Sequence, residues 1–200
     1  MASSNSAKRD FKIANEMKQI IDEHKPLSKG IVFDGRNIET SEGITLSDEQ
    51  IDAINAAVKS PISVITGGPG SGKTTLVQGL VSALKTLNAD ARLSAPTGRA
   101  AKRISETPGL SDLGPSTIHM FLAKEKASKS SSEFDVMIVD EASMIDVELM
   151  VELLEAIPAG ASIIFIGDVD QLPPVGPGQP FKDLIESEMV QVSRLTGNFR

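Results

Sequence analysis

One short segment, GGPGSGKTT at residues 67–75, restricts the folds open to this chain more than any other feature. It fits the pattern G-x-x-x-x-G-K-[ST], in which glycines let backbone N–H groups approach an anion without interference from a Cβ atom. An apolar run at residues 62–66 precedes the segment, and an amphipathic stretch at residues 72–87 follows it. The pattern therefore predicts a strand, a phosphate-binding turn, and a helix whose N-terminus faces the phosphates of a bound nucleotide.

The polar residues of this segment have predicted tasks. Lys73 is expected to reach the β and γ phosphates as a point charge, and the Thr74 hydroxyl is a hard oxygen that suits Mg²⁺. The alternative is a glycine-rich turn with an incidental lysine, which the flanking strand and helix disfavour. The predicted nucleotide-binding residues of the segment are Gly67, Gly68, Pro69, Gly70, Ser71, Gly72, Lys73, Thr74 and Thr75.

Two acids, Asp140 and Glu141, directly follow a second apolar run at residues 136–139. Carboxylates at the end of a buried strand are costly unless a cation lies nearby, and ligands of α/β sheets bind at that end. We therefore expect Asp140 to hold Mg²⁺ through water and Glu141 to act as general base for an attacking water. The pair should face the phosphate turn from the tip of the adjacent strand. The alternative is that the two acids cap the next helix, whose N-terminus Asp140, Glu141, Ser143 and Asp146 could all serve.

From residue 44 onward, short apolar runs alternate with longer amphipathic stretches, which predicts a parallel sheet with helices on both faces. Residues 46–200 would form this α/β domain. Residues 1–45 would form an appendage with a frayed polar start at 1–9, a short helix at 10–24 and a small hairpin around Asp34 and Gly35. The predicted strands are 62–66, 92–95, 136–140, 162–167 and 190–195, and the predicted helices are 48–59, 72–87, 99–106, 117–123 and 147–156.

Composition excludes several classes of protein. The 200 residues include no cysteine, so neither a disulfide scaffold nor a cysteine-based metal site is possible. No apolar run approaches the ~20 residues that cross a bilayer, and residues 1–9 lack the apolar core of a secretory signal. We therefore expect a cytoplasmic protein without a membrane partner. The net charge of -7 means that any nucleic-acid contact requires a local basic surface.

Such a surface is predicted at residues 92–105, which hold four basic residues and no acid. A strand end followed by a helix start also leaves backbone N–H groups free there, which suits the phosphates of a nucleic-acid strand. The alternative is an ordinary solvated helix face.

A third segment, IGDVDQLPPVGPG at residues 166–178, predicts a strand end followed by a loop stiffened by prolines. Gln171 would project from the same sheet edge as Asp140, where a neutral amide can hydrogen-bond a γ-phosphate or the attacking water. A conventional turn-rich loop is the alternative.

Together these segments resemble the first RecA-like motor domain (1A) of superfamily 1B helicases, and most of all the RecD/TraA-like branch. The resemblance covers residues 46–200 and implies a RecA-like P-loop NTPase fold with ATP and Mg²⁺ as cofactors. In the complete protein it implies ATP-driven movement along single-stranded DNA in the 5′ to 3′ direction. The matching motifs are LSDEQ (46–50, Q motif), GGPGSGKTT (motif I), APTGRAAKR (95–103, Ia), STIHMFL (116–122, Ib), VDEASM (139–144, II), GDVDQLPPVGPG (167–178, III) and NFR (198–200, start of IV).

The resemblance also implies roles for single residues. Gln50 would contact adenine, Gln171 would couple nucleotide state to DNA, and Arg200 would touch the γ-phosphate beside the catalytic Lys73, Asp140 and Glu141. The role of Gln50 has an alternative, because Ser47-x-x-Gln50 is also a capping box. His119, which the resemblance places on the DNA path, also has one, because a histidine on an apolar turn is more often packed or capped than a ligand. The implied path for single-stranded DNA is lined by Thr97, Arg99, Thr117, His119, Pro173, Pro174 and Val175.

The sequence departs from the family pattern in two places, and both limit the helicase activity expected of these 200 residues. The second RecA-like domain and its arginine finger lie outside the chain, so these 200 residues should bind nucleotide weakly and hydrolyse it slowly or not at all. The expected partners are single-stranded DNA, that second domain or the remainder of a longer helicase, and subunits of a recombination or repair complex. Residues 123–135 show no signal for the strand-splitting hairpin of the family.

Two other functions remain open at the level of sequence: a nucleotide-binding fragment without turnover, and a different P-loop NTPase such as a small-molecule kinase. The seven phenylalanines are the only aromatic residues, and Phe121, Phe165 and Phe181 lie in apolar surroundings that predict core positions. Base stacking should therefore contribute little, and DNA binding should be independent of sequence and strongly dependent on salt.

Overall fold

A computed structural model describes residues 2–27, 43, 45–128 and 132–197. Within them, six strands form one sheet in which every neighbouring pair is parallel. The strands are β1 (Ile62–Gly67), β2 (Ala91–Ala95), β3 (Ser116–Thr117), β4 (Val136–Val139), β5 (Ser162–Gly167) and β6 (Gln191–Leu195), and their order across the sheet is β3-β2-β4-β5-β1-β6.

Helices join these strands, because parallel neighbours need crossover connections. They are α1 (Ala2–Glu23), α2 (Asp48–Ala57), α3 (Lys73–Thr86), α4 (Gly98–Ser105), α5 (Ile118–Ala127), α6 (Val147–Glu155) and α7 (Pro180–Glu186). Single 3₁₀ turns lie at Ser111–Leu113 and Ala142–Met144.

Two apolar cores cover the two faces of the sheet. In β4, Ile138 belongs to one core, whereas Met137 and Val139 belong to the other, as the alternation of side chains along a strand requires. Helices α2, α3 and α4 pack on the first face, and α1, α5, α6 and α7 pack on the second. The α/β fold with helices on both faces is therefore confirmed, and Phe121, Phe165 and Phe181 are buried as predicted.

The direction of travel across the sheet explains this division. From β1 to β2 to β3 the chain moves toward one edge with α3 and α4 on the first face. From β3 to β6 it returns with α5, α6 and α7 on the second face, the arrangement that right-handed crossovers produce. Strand β5 lies between β1 and β4, so the prediction that the acid pair sits on the strand adjacent to the phosphate turn was wrong.

Other predictions about the elements also needed correction. The first helix begins at Ala2 rather than near residue 10, and it includes the segment predicted to be frayed. It is held against α6 by the Arg9–Glu148 and Lys12–Glu155 ion pairs and by burial of Met17. Strand β3 and helix α7 were not predicted. The predicted hairpin lies outside the described residues, and among the described helices none is long and apolar enough to cross a membrane.

Candidate functional site

The loop between β1 and α3 has the backbone of an anion site. Gly70 and Gly72 adopt positive φ angles of 80° and 79°, and Gly72 precedes α3 without any side-chain cap. The first N–H groups of α3 therefore lack intrahelical partners and remain available to an anion, which the positive end of the helix dipole also attracts. At Gly67 a Cβ atom would lie 2.5 Å from Ser71 Oγ, so the loop can close this tightly only around glycine.

Lys73 lies over the same loop rather than in open solvent. Its Nζ donates hydrogen bonds to the carbonyl oxygens of Gly67 at 2.5 Å and Gly68 at 2.9 Å. The Ser71 hydroxyl is buried without a hydrogen-bond partner among the described residues, and Thr74 is exposed on the first turn of α3. Uncapped N–H groups, a fixed ammonium and an unsatisfied hydroxyl together fit a polyphosphate ligand.

Gln50 connects helix α2 to this loop. Its side-chain oxygen accepts from Ser47 N at 2.9 Å, and Gln50 N donates to Ser47 Oγ at 3.2 Å, which completes the capping box. The amide Nε2 donates to the carbonyl of Gly72 at 3.1 Å, and the residue is only 3% exposed. The capping interpretation is therefore realised, and adenine contact by Gln50 stays a prediction.

The neighbouring residue of α2, Glu49, holds the chain that follows β6. Its carboxylate accepts hydrogen bonds from Thr196 N at 2.9 Å, from Thr196 Oγ1 at 2.7 Å and from Gly197 N at 3.1 Å. These hydrogen bonds, with the Thr196 N–H the largest cause, lower the pKa of Glu49. One turn of helix therefore contacts both the phosphate loop and the end of the last strand.

Asp140 lies directly after β4, half-buried, with its Oδ1 accepting from Glu141 N at 2.9 Å. Burial raises the pKa of Asp140, and the Glu141 charge adds to this, while the Glu141 N–H and the charges of Arg103 and Lys73 oppose it. Because β1, β5 and β4 run parallel, the phosphate loop and the acid pair lie at the same carboxyl edge of the sheet, even though β5 separates their strands.

Glu141 has a positive φ of 53°, and its carboxylate forms an ion pair with Nη2 of Arg103 on α4. Arg103 is 62% exposed and Glu141 17%. The hydrogen bond to Glu141 is the largest cause of the raised pKa of Arg103. Sequence reasoning placed Arg103 in the basic segment but missed this pairing, because no local pattern relates residues 38 positions apart.

The capping alternative was wrong for Asp140 and Glu141, and of the four candidate residues it is Asp146 that caps the next long helix, α6. The side chain that caps α6 is Asp146, whose Oδ1 accepts from Leu149 N at 2.8 Å. The 3₁₀ turn that begins after Glu141 has no side-chain cap.

The loop that follows β5 is tied to both halves of the site. Val169 N donates to Thr66 Oγ1 of β1 at 3.2 Å, and Asp168, 4% exposed, accepts from Asp170 N at 3.0 Å. Gln171 is exposed, and its Oε1 lies 3.4 Å from the Ser143 hydroxyl, two residues after Glu141. The predicted position of Gln171 at the edge that carries Asp140 is therefore correct, and Asp168 and Ser143 are neighbours that the sequence analysis did not single out.

The arrangement also fits Mg²⁺. No group of three or more metal-ligating side chains occurs in the part of the chain that the structure describes. Mg²⁺ is commonly held by one or two protein oxygens together with phosphate oxygens and water, so a larger cluster is not needed. Asp140 supplies a carboxylate, and a cation would offset the cost of burying its charge. Thr74 supplies an exposed hydroxyl beside the phosphate loop.

The predicted DNA-path residues lie on the same edge of the sheet. Thr97 lies two residues after β2, and Thr117 is the last residue of the neighbouring strand β3. Both hydroxyls cap helices: Thr97 Oγ1 accepts from Ala100 N of α4 at 3.2 Å, and Thr117 Oγ1 accepts from Met120 N of α5 at 3.1 Å. Arg99 and His119 are exposed, so the packed alternative for His119 was wrong.

The proline loop is also open to solvent. Pro173 is exposed, Pro174 half-buried, and Val175 and Leu172 stand clear of the surface. Arg200 and the rest of the NFR segment lie outside the described residues.

A strand, a glycine loop closed by a lysine, and an acid pair at the same sheet edge define a P-loop nucleotide-binding domain. A family described as an AAA domain matches residues 50–177, and the chain belongs to that family.

Curated relatives give the family a narrower context. Over 147 residues the chain is 37% identical to the ATP-dependent RecD2 DNA helicase of Deinococcus radiodurans, a match that covers 71% of this chain and 20% of the relative. Over 179 residues it is 34% identical to the RecBCD enzyme subunit RecD of Mycobacterium tuberculosis, covering 76% of this chain and 31% of the relative. The chain thus spans less than a third of either relative, and the resemblance to RecD-type helicases is confirmed.

Solved structures share the fold. A Bacteroides Pif1 in complex with ADP-AlF4 superposes with a TM-score of 0.54 at 23% identity, over 78% of this chain and 43% of that one. The Pif1 helicase from Candida albicans gives a TM-score of 0.51 at 27% identity, over 76% and 40% of the two chains. The RecA-like architecture predicted from the motifs is therefore confirmed.

Proposed function

We propose that this chain is the ATP-binding motor domain of a RecD-like DNA helicase. In the complete protein it would couple ATP hydrolysis to movement along single-stranded DNA, with the 5′ to 3′ direction that the motif resemblance implies. One observation carries the proposal: the Lys73 ammonium is held over an uncapped glycine loop at the edge of the parallel sheet from which Asp140 and Glu141 also project.

The binding step uses residues of the loop. Lys73 would exchange its carbonyl partners for the β and γ phosphates, which are stronger acceptors, and the free N–H groups of α3 would bind the remaining oxygens. Thr74 and Asp140 would hold Mg²⁺, which when bound spreads the charge that develops on the phosphates. Adenine recognition by Gln50 belongs to the same proposal and requires its amide to leave the Gly72 carbonyl.

The chemical step uses the acid pair and the loop after β5. Glu141 would accept the proton of the attacking water once its carboxylate is free of Arg103. Gln171, beside Ser143, would report the presence of the γ-phosphate to the proline loop. Arg200 is proposed to touch the γ-phosphate.

The DNA path would cross the carboxyl edge of the sheet next to these groups. Arg99 and the N-termini of α4 and α5, capped by Thr97 and Thr117, offer positive charge and helix ends to phosphates. His119 and the loop of Pro173, Pro174 and Val175 would border the same strand. The motif resemblance adds a second RecA-like domain or the remainder of a longer helicase as a proposed partner. By analogy with the Mycobacterium tuberculosis relative, a RecBCD enzyme subunit, subunits of a recombination or repair complex are proposed as well.

A nucleotide-binding module without turnover is the second candidate, and one observation favours it. The proposed base, Glu141, is held by Arg103 in this structure. Phosphate release measured with and without single-stranded DNA, at high protein concentration, separates this candidate from the motor and also from a small-molecule kinase, whose turnover DNA would not stimulate.

The proposal is tested first by nucleotide binding. Lys73→Ala should raise the dissociation constant for ATP with Mg²⁺ by about 10- to 100-fold, the worth of a charge-assisted hydrogen bond, without unfolding the chain. Lys85→Ala is the matched control, because Lys85 lies on the last turn of the same helix, far from the loop, and should bind ATP like the parent chain. An unchanged dissociation constant in Lys73→Ala would overturn the assignment of the loop.

A further inference from the structure

We propose that Arg103 is a positioning residue for Glu141. Its guanidinium binds either the Glu141 carboxylate or a phosphate of single-stranded DNA, so the two anions compete for it. This inference rests on the proposed function, because it concerns the regulation of the same site. The competition would couple the two processes directly: when single-stranded DNA binds Arg103, Glu141 is released to act as general base.

The two side chains differ in their access to solvent. Glu141 is mostly buried at the sheet edge, whereas Arg103 is largely exposed on the outer side of α4. Arginine carries five N–H donors, and the hydrogen bond to Glu141 is made by Nη2, which leaves donors on the solvent side. A ligand can therefore reach the guanidinium before it displaces the carboxylate.

The surroundings of Arg103 favour a phosphate as that ligand. Arg99 and Lys102 lie on the same helix and are exposed, and the helix contains no acid. Lys102 lies 3.7 Å from Glu106, just beyond the helix, and both side chains are more than half exposed, so their attraction is weak. The strongest anionic partner of this basic face is thus Glu141, which is also the proposed general base.

The pairing constrains the proposed base, because the Glu141 carboxylate is held against the Arg103 guanidinium on α4. Transfer of Arg103 to a DNA phosphate would release that carboxylate to turn toward the attacking water. Because linkage is reciprocal, the same competition means that the Glu141 charge must weaken DNA binding.

That reciprocity allows a test that needs no hydrolysis. Glu141→Gln should strengthen binding of a fluorescent oligothymidylate by about three- to fivefold, the worth of one ion pair whose arginine is largely exposed. It should also steepen the dependence of log K on log salt by about one counterion. Glu106→Gln is the matched control, because it removes the same charge beside the same helix without touching Arg103, and it should give a smaller gain.

The double variants identify the residue responsible. In an Arg103→Gln background the gain from Glu141→Gln should disappear, and in an Arg103→Lys background, which keeps the charge, part of it should return. Equal gains from Glu141→Gln and Glu106→Gln, or a gain that survives in Arg103→Gln, would overturn the inference while leaving the proposed function intact. Absence of oligothymidylate binding by the parent chain would instead overturn the DNA part of the proposed function, and this inference with it.

Discussion

The amide of Gln50 is the most informative single group to remove, because it joins the start of α2 to the phosphate loop. Gln50→Ala deletes the acceptor for Ser47 N and the donor to the Gly72 carbonyl. Ser47→Ala is the matched variant, since it removes the capping hydroxyl but keeps the bond between Gln50 and Gly72.

The magnitudes follow from these contacts. Ser47 N would lose its partner, at about 1–3 kcal/mol, whereas the Gly72 carbonyl would lose one bond, at about 1 kcal/mol, and keep the bond from Leu76 N. Gln50→Ala should therefore lower the free energy of unfolding by about 2–4 kcal/mol. Loss of the N-cap hydroxyl in Ser47→Ala should cost about 1 kcal/mol. Urea unfolding followed by circular dichroism measures both values.

Nucleotide binding then separates the two roles considered for Gln50. If the amide acts by fixing the loop, Gln50→Ala should weaken ATP and inorganic triphosphate by the same factor, because both ligands bind the loop and only one carries a base. Ser47→Ala should leave both affinities near those of the parent chain. Because the buried amide holds the Gly72 carbonyl, we expect at least this common loss, and the proposed adenine contact would add a further loss for ATP alone.

Two results would contradict this reasoning. Weakening of ATP without weakening of triphosphate would show that Gln50 reads adenine, and unchanged affinity for both ligands would show that the loop keeps its shape without the amide.

Three further predictions concern the loop, the acid pair and the basic face. Gly67→Ala should lower the free energy of unfolding by about 1–3 kcal/mol, since its Cβ would overlap Ser71 Oγ. Gly68→Ala is the control and should cost less, because there is open space around its Cβ. Equal losses of stability for the two variants in urea unfolding would refute the packing argument. Burial raises the pKa of Asp140 above its ordinary 3.8, so the folded protein binds that proton more tightly than the unfolded chain, and stability falls as pH rises through the raised pKa. Asp140→Asn should therefore gain stability relative to the parent as pH rises from 3.8 toward neutrality, and a gain that is constant with pH would contradict this. Arg99→Ala should weaken oligothymidylate and oligoadenylate equally and reduce the salt slope by about one, whereas a loss confined to one sequence would argue against phosphate contact.

The phosphate loop and the buried strands were predictable because their signals are local. The order of glycines and lysine at residues 67–75 sets its own backbone, and the apolar runs of β1, β4 and β5 need nothing but burial to become strands. The position of α7 was not predictable from its seven residues, since prolines and glycines before it indicate a loop and only the burial of Phe181 and Leu184 favours a helix there.

The parts of the site that sequence reasoning missed depend on tertiary contacts. The order of strands inserts β5 between the glycine loop and the acid pair, and no run of residues records this order. Arg103 meets Glu141 only because β2 and β4 are neighbours in the sheet. The extension of α1 to Ala2 likewise depends on ion pairs with α6 rather than on the polar residues themselves.

Helix α2 connects two separate parts of the domain, because consecutive residues of its first turn form hydrogen bonds with different segments. Glu49 grips the backbone just past β6, and Gln50 grips the carbonyl from which α3 starts. Less than one helical turn therefore separates the contact that fixes the backbone at Thr196 from the contact that fixes the carbonyl beside the glycine loop. A change in the path of the chain after the last strand would alter the orientation of α2, and with it the hydrogen bond that shapes the phosphate site.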